Sequence, residues 1–355
     1  MTSLNQPALD TASPQIKKDD SAKTCSLADV PTYLKAIKES GISPGLSTFY
    51  RGHESSCYKL KPSVFRDQNF TLKEHVFYDN ILAYCPNDFG ADSSTFEKLV
   101  RMQHYAVPTR LLDVTSNPLV ALYFACQKVP RNDISPDGEV VIFQIEETHK
   151  RVFSSDTVTC LANLARIDES ERENILKKAR EYDTKVAKAE TDECLSVSSE
   201  RSCYPDVIFS DVYTEPHKGS WDLREEFCKQ SQTGRLFHFI KEEKPYFERV
   251  IHPRHLLSVF HVLPKMNNQR IVAQAGSFLI FGLDKEMLEN GNANGISIYR
   301  IKIPHEAKKD ILTELAGLNI NDATLLPSID TRANVLRKEI QHLAGIFSDT
   351  KSAGS

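Results

Sequence analysis

The sequence predicts an α+β protein, with a mixed and mainly antiparallel sheet flanked by helices. Three observations lead there. Period-two alternation marks strands, most clearly in "GISIYRIKIP" (295–304), and the strand-like segments fall into three groups along the chain. Capping signals mark helix starts between those groups, as at Asn117-Pro118. The regular strand–helix alternation of a doubly wound parallel sheet is missing.

Taken in order, residues 1–25 are polar and rich in Ser, Thr, Asp and Lys, and are expected to form a disordered tail. "SLADVPTYLKAIKES" reads as a helix closed by Gly41, "GLSTFYRG" (45–52) as a strand, and "FTLKEHVFYDNILAYC" (70–85) as one amphipathic helix. Ser94 with Glu97 fits a capping box opening a helix that runs to about His104, and Pro108 stops it. Asn117 and Pro118 start another helix, whose Leu119, Leu122, Tyr123 and Cys126 share one face.

"PDG" (136–138) is a turn and "EVVIFQIE" after it a strand. Residues 155–235 change character: the charged stretch "SERENILKKAREYDTKVAKAE" precedes the Ser-rich "LSVSSERS", which suggests an insertion of solvated helix and loop. Strands resume with "HLLSVFHVLP", "RIVAQAGSFLIFG" and "GISIYRIKIP". A helix at "KKDILTELAGL" and a charged C-terminal helix follow, and residues 346–355 are expected to be a flexible tail. The expected organisation is one domain over 26–345, interrupted by the insertion.

Of the 355 residues, 40% are hydrophobic and 26% charged, a globular composition. A net charge of −4 supplies no global basic field for nucleic acid or membrane surfaces. No apolar run approaches the roughly 20 residues needed to cross a bilayer. The N-terminus lacks the layout of a secretory signal. The eight cysteines include no Cys-x-x-Cys pair, so free thiols in a reducing cytoplasm are expected. Walker-type, Gly-x-Gly-x-x-Gly, Gly-x-Ser-x-Gly and His-Glu-x-x-His motifs are missing, and His252 with His255 lacks a further ligand at metal-binding spacing. No metal is predicted.

Three segments carry site chemistry. In "YRGHE", Arg51 is a permanent cation, Gly52 would let a phosphate approach the backbone, and His53 titrates near neutral pH beside Glu54. A strand-end salt bridge would explain the same residues. "RMQHYAVPTRLLD" (101–113) gathers Gln103, His104, Tyr105, Arg110 and Asp113 at a helix end. The helix terminus would favour protonated His104, and Asp113 could pin the Arg110 guanidinium. A brace between two helices is the plainer alternative. In "QRIVAQAGSF", strand alternation would place Arg270, Val272, Gln274 and Gly276 on one face.

At these residues the chain resembles the FRG domain family. Tyr50-Arg51-Gly52 stands at the motif that names the family, and "QHYAVPTRLLDVTSNPLVALYFA" (103–125) looks like its most specific signature. Ala106 replaces a usual glycine and Val114 a usual aromatic residue. "NNQRIVAQAGSF" and "LTELAGLNINDATLLPSID" resemble later elements, so the likeness extends over about 28–340.

The order Arg51, His104-Tyr105, Gln274 resembles the layout of ADP-ribosyltransferases, whose antiparallel sheet is split and whose substrate is NAD. That analogy completes the fold expectation with a split sheet. It implies that Arg51 holds a phosphate or ribose, Tyr105 stacks on nicotinamide and Gln274 bonds the ribose, with a nucleic acid or protein as acceptor. A cytoplasmic toxin or defence effector is the role it suggests. Two other classes compete. One is a non-catalytic module sensing phosphorylated nucleotides or nucleic-acid ends through Arg51, Arg110 and Arg270. The other is a metal-dependent nuclease using His53, Glu54, His104 and Asp113. Membrane partners are not expected, and the sequence does not specify an oligomeric state.

Overall fold

The structure is a computed structural model that describes residues 28–43, 45–128, 136–197, 218–248, 250–293 and 295–327. The tails expected at 1–25 and 346–355, the charged C-terminal helix and "LSVSSERS" lie mostly or wholly outside these residues.

Eight strands form one sheet: β1 (Ser47–His53), β2 (Leu111–Thr115), β3 (Gly138–Ile145), β4 (Lys150–Val152), β5 (Val259–Leu263), β6 (Gly276–Phe281), β7 (Gly291–Ala293) and β8 (Ile296–Ile303). Their order is β4-β5-β6-β2-β1-β3-β8-β7, antiparallel throughout except for the parallel pair β4–β5. The sheet is mixed and mainly antiparallel, as expected.

Its centre is the weak point. β1 pairs with β3 along its whole length, from Ser47 opposite Ile145 to His53 opposite Glu139. With β2 it shares one registered pair, Tyr50 opposite Thr115. The two halves therefore part immediately beyond Tyr50, leaving a cleft between Arg51–His53 and Leu111–Val114. The sheet also curls: Phe49 on β1 stacks on His261 of β5 at 3.8 Å, although β6 and β2 stand between those strands.

Helices cover the sheet. The N-terminal set is α1 (Val30–Glu39), α2 (Gln68–Leu72), α3 (Glu74–Tyr84), α4 (Thr95–His104) and α5 (Pro118–Ala125). The middle set is α6 (Asp156–Asn163), α7 (Glu169–Val197), α8 (Lys218–Cys228) and α9 (Gly234–Glu243). The rest are α10 (Pro253–Leu257), α11 (Gln269–Ala273), α12 (Lys308–Gly317) and α13 (Asp322–Leu325).

One apolar cluster lies under β2, β5 and β6 with α3, α4, α6, α7 and α9. A second packs α1, α5 and α12 on β1, β3 and β8. The inside of the curl holds a third, including Leu112, Val141, Phe143 and Phe281.

Three expectations change, and one strand is added. The single helix at 70–85 is two, because Lys73 leaves helical geometry between α2 and α3. "LLDVT" is a central strand, too short to show alternation and buried at four of its five residues. The charged helix α7 is solvated on one side only, since Ile175, Ala179, Tyr182 and Val186 are buried at helical spacing. The stretch "RIVA" is helical. Asn268 accepts from the Arg270 N–H at 2.8 Å and starts α11, which overrides the strand preference of Ile271 and Val272.

Gly52 has a structural task that its motif did not reveal. A Cβ there would lie 2.0 Å from the Ala121 carbonyl oxygen, and one on Gly138 2.2 Å from that of Ala125. The backbone of α5 thus sits directly on β1 and β3, which only glycine permits. Gly52 also lines the cavity described below, so the contact with α5 comes in addition to the ligand approach expected of it.

Buried histidines make the fold acid-sensitive. Burial depresses the pKa of His261 to about 3 and that of His252, beside Arg224, to about 4. Both bind protons more readily when unfolded, so their contribution is complete above about pH 6.5 and is lost as pH falls. Between pH 6.5 and 4 each can cost up to about 1.4 kcal/mol per pH unit. Urea unfolding followed across this range should show stability falling with acidity, and His261→Gln should flatten the slope.

Candidate functional site

The cleft in the sheet opens into a cavity of about 350 Å³. β1 contributes Tyr50 to His53, β2 contributes Asp113 to Thr115, and β6 contributes Gly276 to Phe278. Gln103 and His104 line it from the end of α4, and Asn268, Arg270 and Gln274 from α11 and its caps. Three segments far apart in sequence therefore meet in one space.

Arg51 sits where the sheet parts. Its Nη1 donates to the Asp113 carbonyl oxygen at 2.6 Å, taking the acceptor that a β1 N–H would take in an unbroken ladder. Its Nε donates to His53 Nε2 at 3.1 Å. The opposite nitrogen of that ring, Nδ1, is 2.9 Å from Glu139 Oε1. Since Nε2 accepts, Nδ1 must carry the hydrogen, and His53 is neutral. Burial depresses the His53 pKa, against the opposing pull of Glu139. Glu139 also pairs with Arg300. The result is a buried chain, Arg300–Glu139–His53, that fixes the angle of the Arg51 fork. Burial lowers the Arg51 pKa as well, with Asp113 opposing it, but a guanidinium starts far enough above neutrality to stay charged.

The end of α4 is shaped by a turn. The Val107 N–H bonds the Met102 carbonyl at 3.0 Å and the Ala106 N–H bonds that of Gln103 at 3.1 Å, with Ala106 at φ 58°. This is the helix ending that glycine normally provides, and an L residue there costs about 1 kcal/mol. It accounts for the glycine usual at this position of the family pattern. The turn leaves Gln103 bridging two partners: its Oε1 accepts from Thr109 Oγ1 at 2.6 Å and its Nε2 donates to Asp113 Oδ2 at 2.7 Å.

His104 is exposed at the rim. Burial and the neighbouring Arg270 and Arg101 lower its pKa, so the protonated form expected from the helix terminus is disfavoured. Tyr105 points elsewhere: 62% exposed, it lines a neighbouring cavity and not the central one.

Arg110 is a correction. It is 1% exposed and lies in the core, where Nε and Nη2 donate to Glu74 Oε1 and Oε2 at 2.9 and 2.6 Å. Arg172 pairs with the same carboxylate. Asp113, on the outer part of β2, serves Arg51 and Gln103 instead of Arg110. Spacing along the sequence suggested an Arg110–Asp113 pair, but a strand sends neighbours three apart to opposite faces.

Gln274 reaches the cavity wall from the C-cap of α11, and its amide donates to the Leu325 carbonyl at 2.9 Å. Ala275, at φ 45°, then turns the chain into β6. Among the lining residues that escaped the sequence analysis are Arg66 and Asn268. Asn268 had a visible signal as a helix cap, while Arg66 follows a short 3₁₀ turn and had none.

The charge balance favours an anion. Asp113 is held by Arg51 and Gln103, and Glu54 accepts from the Tyr58 hydroxyl at 3.2 Å. Arg66 and Arg270 have no carboxylate within ion-pair distance among the described residues. Aromatic side chains of Tyr50, Tyr58, Phe124 and Phe278 complete the lining.

Residues 47–133 match the family model for the FRG domain. The matched stretch contains β1, α4, β2 and α5, and so most of the cavity wall, but stops short of Arg270 and Gln274. No curated protein and no solved structure matches the chain.

Proposed function

The chain carries an FRG domain, and we propose that its cavity binds a phosphate-bearing nucleotide. The observation that carries this is Arg51, fixed at the parting of the sheet, in one cavity with Arg270, which has no carboxylate within ion-pair distance among the described residues. Such forks bind phosphate oxygens well, and the exposed part of the aromatic lining, Tyr58, offers surface to a ribose.

Within that class we propose NAD as substrate, with ADP-ribosyl transfer as the reaction. The support is the meeting of Arg51, His104 and Gln274 on one cavity. In the transfer, the glycosidic C1′–N bond breaks and nicotinamide leaves with the bonding electrons. The acceptor's nucleophilic oxygen or nitrogen bonds C1′ and loses its proton to a base. Glu54 is the carboxylate at the cavity wall available for that proton, since Asp113 is held by Arg51 and Gln103. The setting we propose is the cytoplasm, where the free thiols of Cys57, Cys85, Cys126 and Cys160 persist, in a toxin or defence role.

A second reading, non-catalytic sensing of a phosphorylated nucleotide, gains from one observation. Both ring nitrogens of His53 are engaged, so it serves as a brace and not as a free base. Incubation with radiolabelled NAD separates the two: release of nicotinamide supports transfer, and binding without release supports sensing. Neither binding nor turnover of NAD, ADP-ribose or ATP overturns both.

A further inference from the structure

A second cavity, of about 260 Å³, adjoins the first, and both are lined by Val100, His104 and Asn268. α4 supplies Val100 and His104 one helical turn apart, and Asn268 faces them from the start of α11. The chemistry changes across this shared wall. The first cavity has cations to spare. In the second, Arg101 forks onto Asp92 at 2.5 and 2.9 Å, and Lys265 pairs with Glu97. Its ionic groups are thus neutralised in pairs.

What remains available there is uncharged. Tyr105 offers an exposed ring at the rim, held edge-on to His104 at 5.1 Å. Asn267 and Gln269 carry amides, and Asn268 uses its Oδ1 on the α11 cap, which leaves its NH₂ to donate. Phe96 and Val100 provide apolar wall. A flat group with hydrogen-bonding edges fits this set: the ring stacks on Tyr105 and its edge meets the amides.

We infer that the second cavity is a nucleobase subsite, so that one ligand spans both cavities, phosphates between Arg51 and Arg270 and the planar ring beside Tyr105. The inference rests on the nucleotide reading above and narrows it to ligands in which a base is joined to phosphate, as in ADP-ribose. His104 and Asn268 stand at the passage between the two parts. Unlike a stacking role on nicotinamide in the first cavity, this assigns Tyr105 to a separate compartment.

Calorimetric titration with two probes tests it: ADP-ribose, which has both parts, and inorganic pyrophosphate, which has only the anionic one. Tyr105→Ala should weaken ADP-ribose about tenfold or more and leave pyrophosphate unchanged, while Tyr105→Phe keeps the wild-type affinity for both. Tyr105 is exposed, so these variants should retain the wild-type circular dichroism and unfolding midpoint. Equal ADP-ribose affinity in wild type and Tyr105→Ala overturns the subsite but leaves the phosphate site standing. Failure of the wild type to bind either probe overturns both.

Discussion

Glu74→Ala should lower the stability of the protein by about 3–5 kcal/mol, read as a shift in urea unfolding at pH 7. The Glu74 carboxylate is 2% exposed and is shared by Arg110 and Arg172, themselves 1% and 3% exposed. Burial alone would raise its pKa, yet the two guanidiniums hold it below the ordinary carboxylate range. Arg110 also donates to the Phe281 carbonyl at 3.2 Å, and Arg172 to that of Thr71 at 2.7 Å. The cluster thereby ties α2, α3 and α7 to the ends of β2 and β6. Removing the carboxylate leaves two cations in the core with one exchangeable partner, Glu169. Ligand binding by the folded fraction should persist, because the cluster lies outside the cavity. A loss below about 1 kcal/mol would show that the cluster tolerates an uncompensated charge and contradict this account.

Arg51→Met should weaken ADP-ribose binding about tenfold to a hundredfold, the range of a lost charge-assisted hydrogen bond. Arg51→Lys should recover little of it. One ammonium cannot occupy the positions of Nε against His53 and Nη1 against the Asp113 carbonyl while presenting a further donor to phosphate. Isothermal titration at two salt concentrations checks both variants. The wild-type affinity should fall with salt, and that slope should shrink when Arg51 is neutralised. Unchanged affinity in Arg51→Met would remove Arg51 from the ligand site.

The sequence carried the fold class and the helices further than it carried the individual strands. The caps at Asp29, Ser94 and Asn117 are local signals, since a side-chain oxygen meets a backbone N–H two or three residues away, and the helices they open were legible. β2 was not, because a five-residue strand with one exposed residue, Asp113, amid buried neighbours is too short to display alternation. "RIVAQ" misled for the opposite reason: its β-branched residues suit a strand, but one capping asparagine and a left-handed Ala275 make it a helix and a turn. Arg51, His53, Gln103, His104, Asp113, Arg270 and Gln274 were singled out in three separate segments, and all line one cavity. Arg110 was legible as important and illegible as structural, because its partner Glu74 lies 36 positions away on another helix. The role of Gly52 depended on the approach of α5, a tertiary contact that no local pattern encodes.

The central claim is that the parting of β1 from β2 creates a phosphate site. The most direct measurement is a crystal structure of the chain soaked with ADP-ribose. Phosphate oxygens within hydrogen-bond distance of Arg51 and Arg270, in the cavity between the two strands, are the predicted result. ADP-ribose bound elsewhere, with no phosphate beside Arg51 or Arg270, would contradict it.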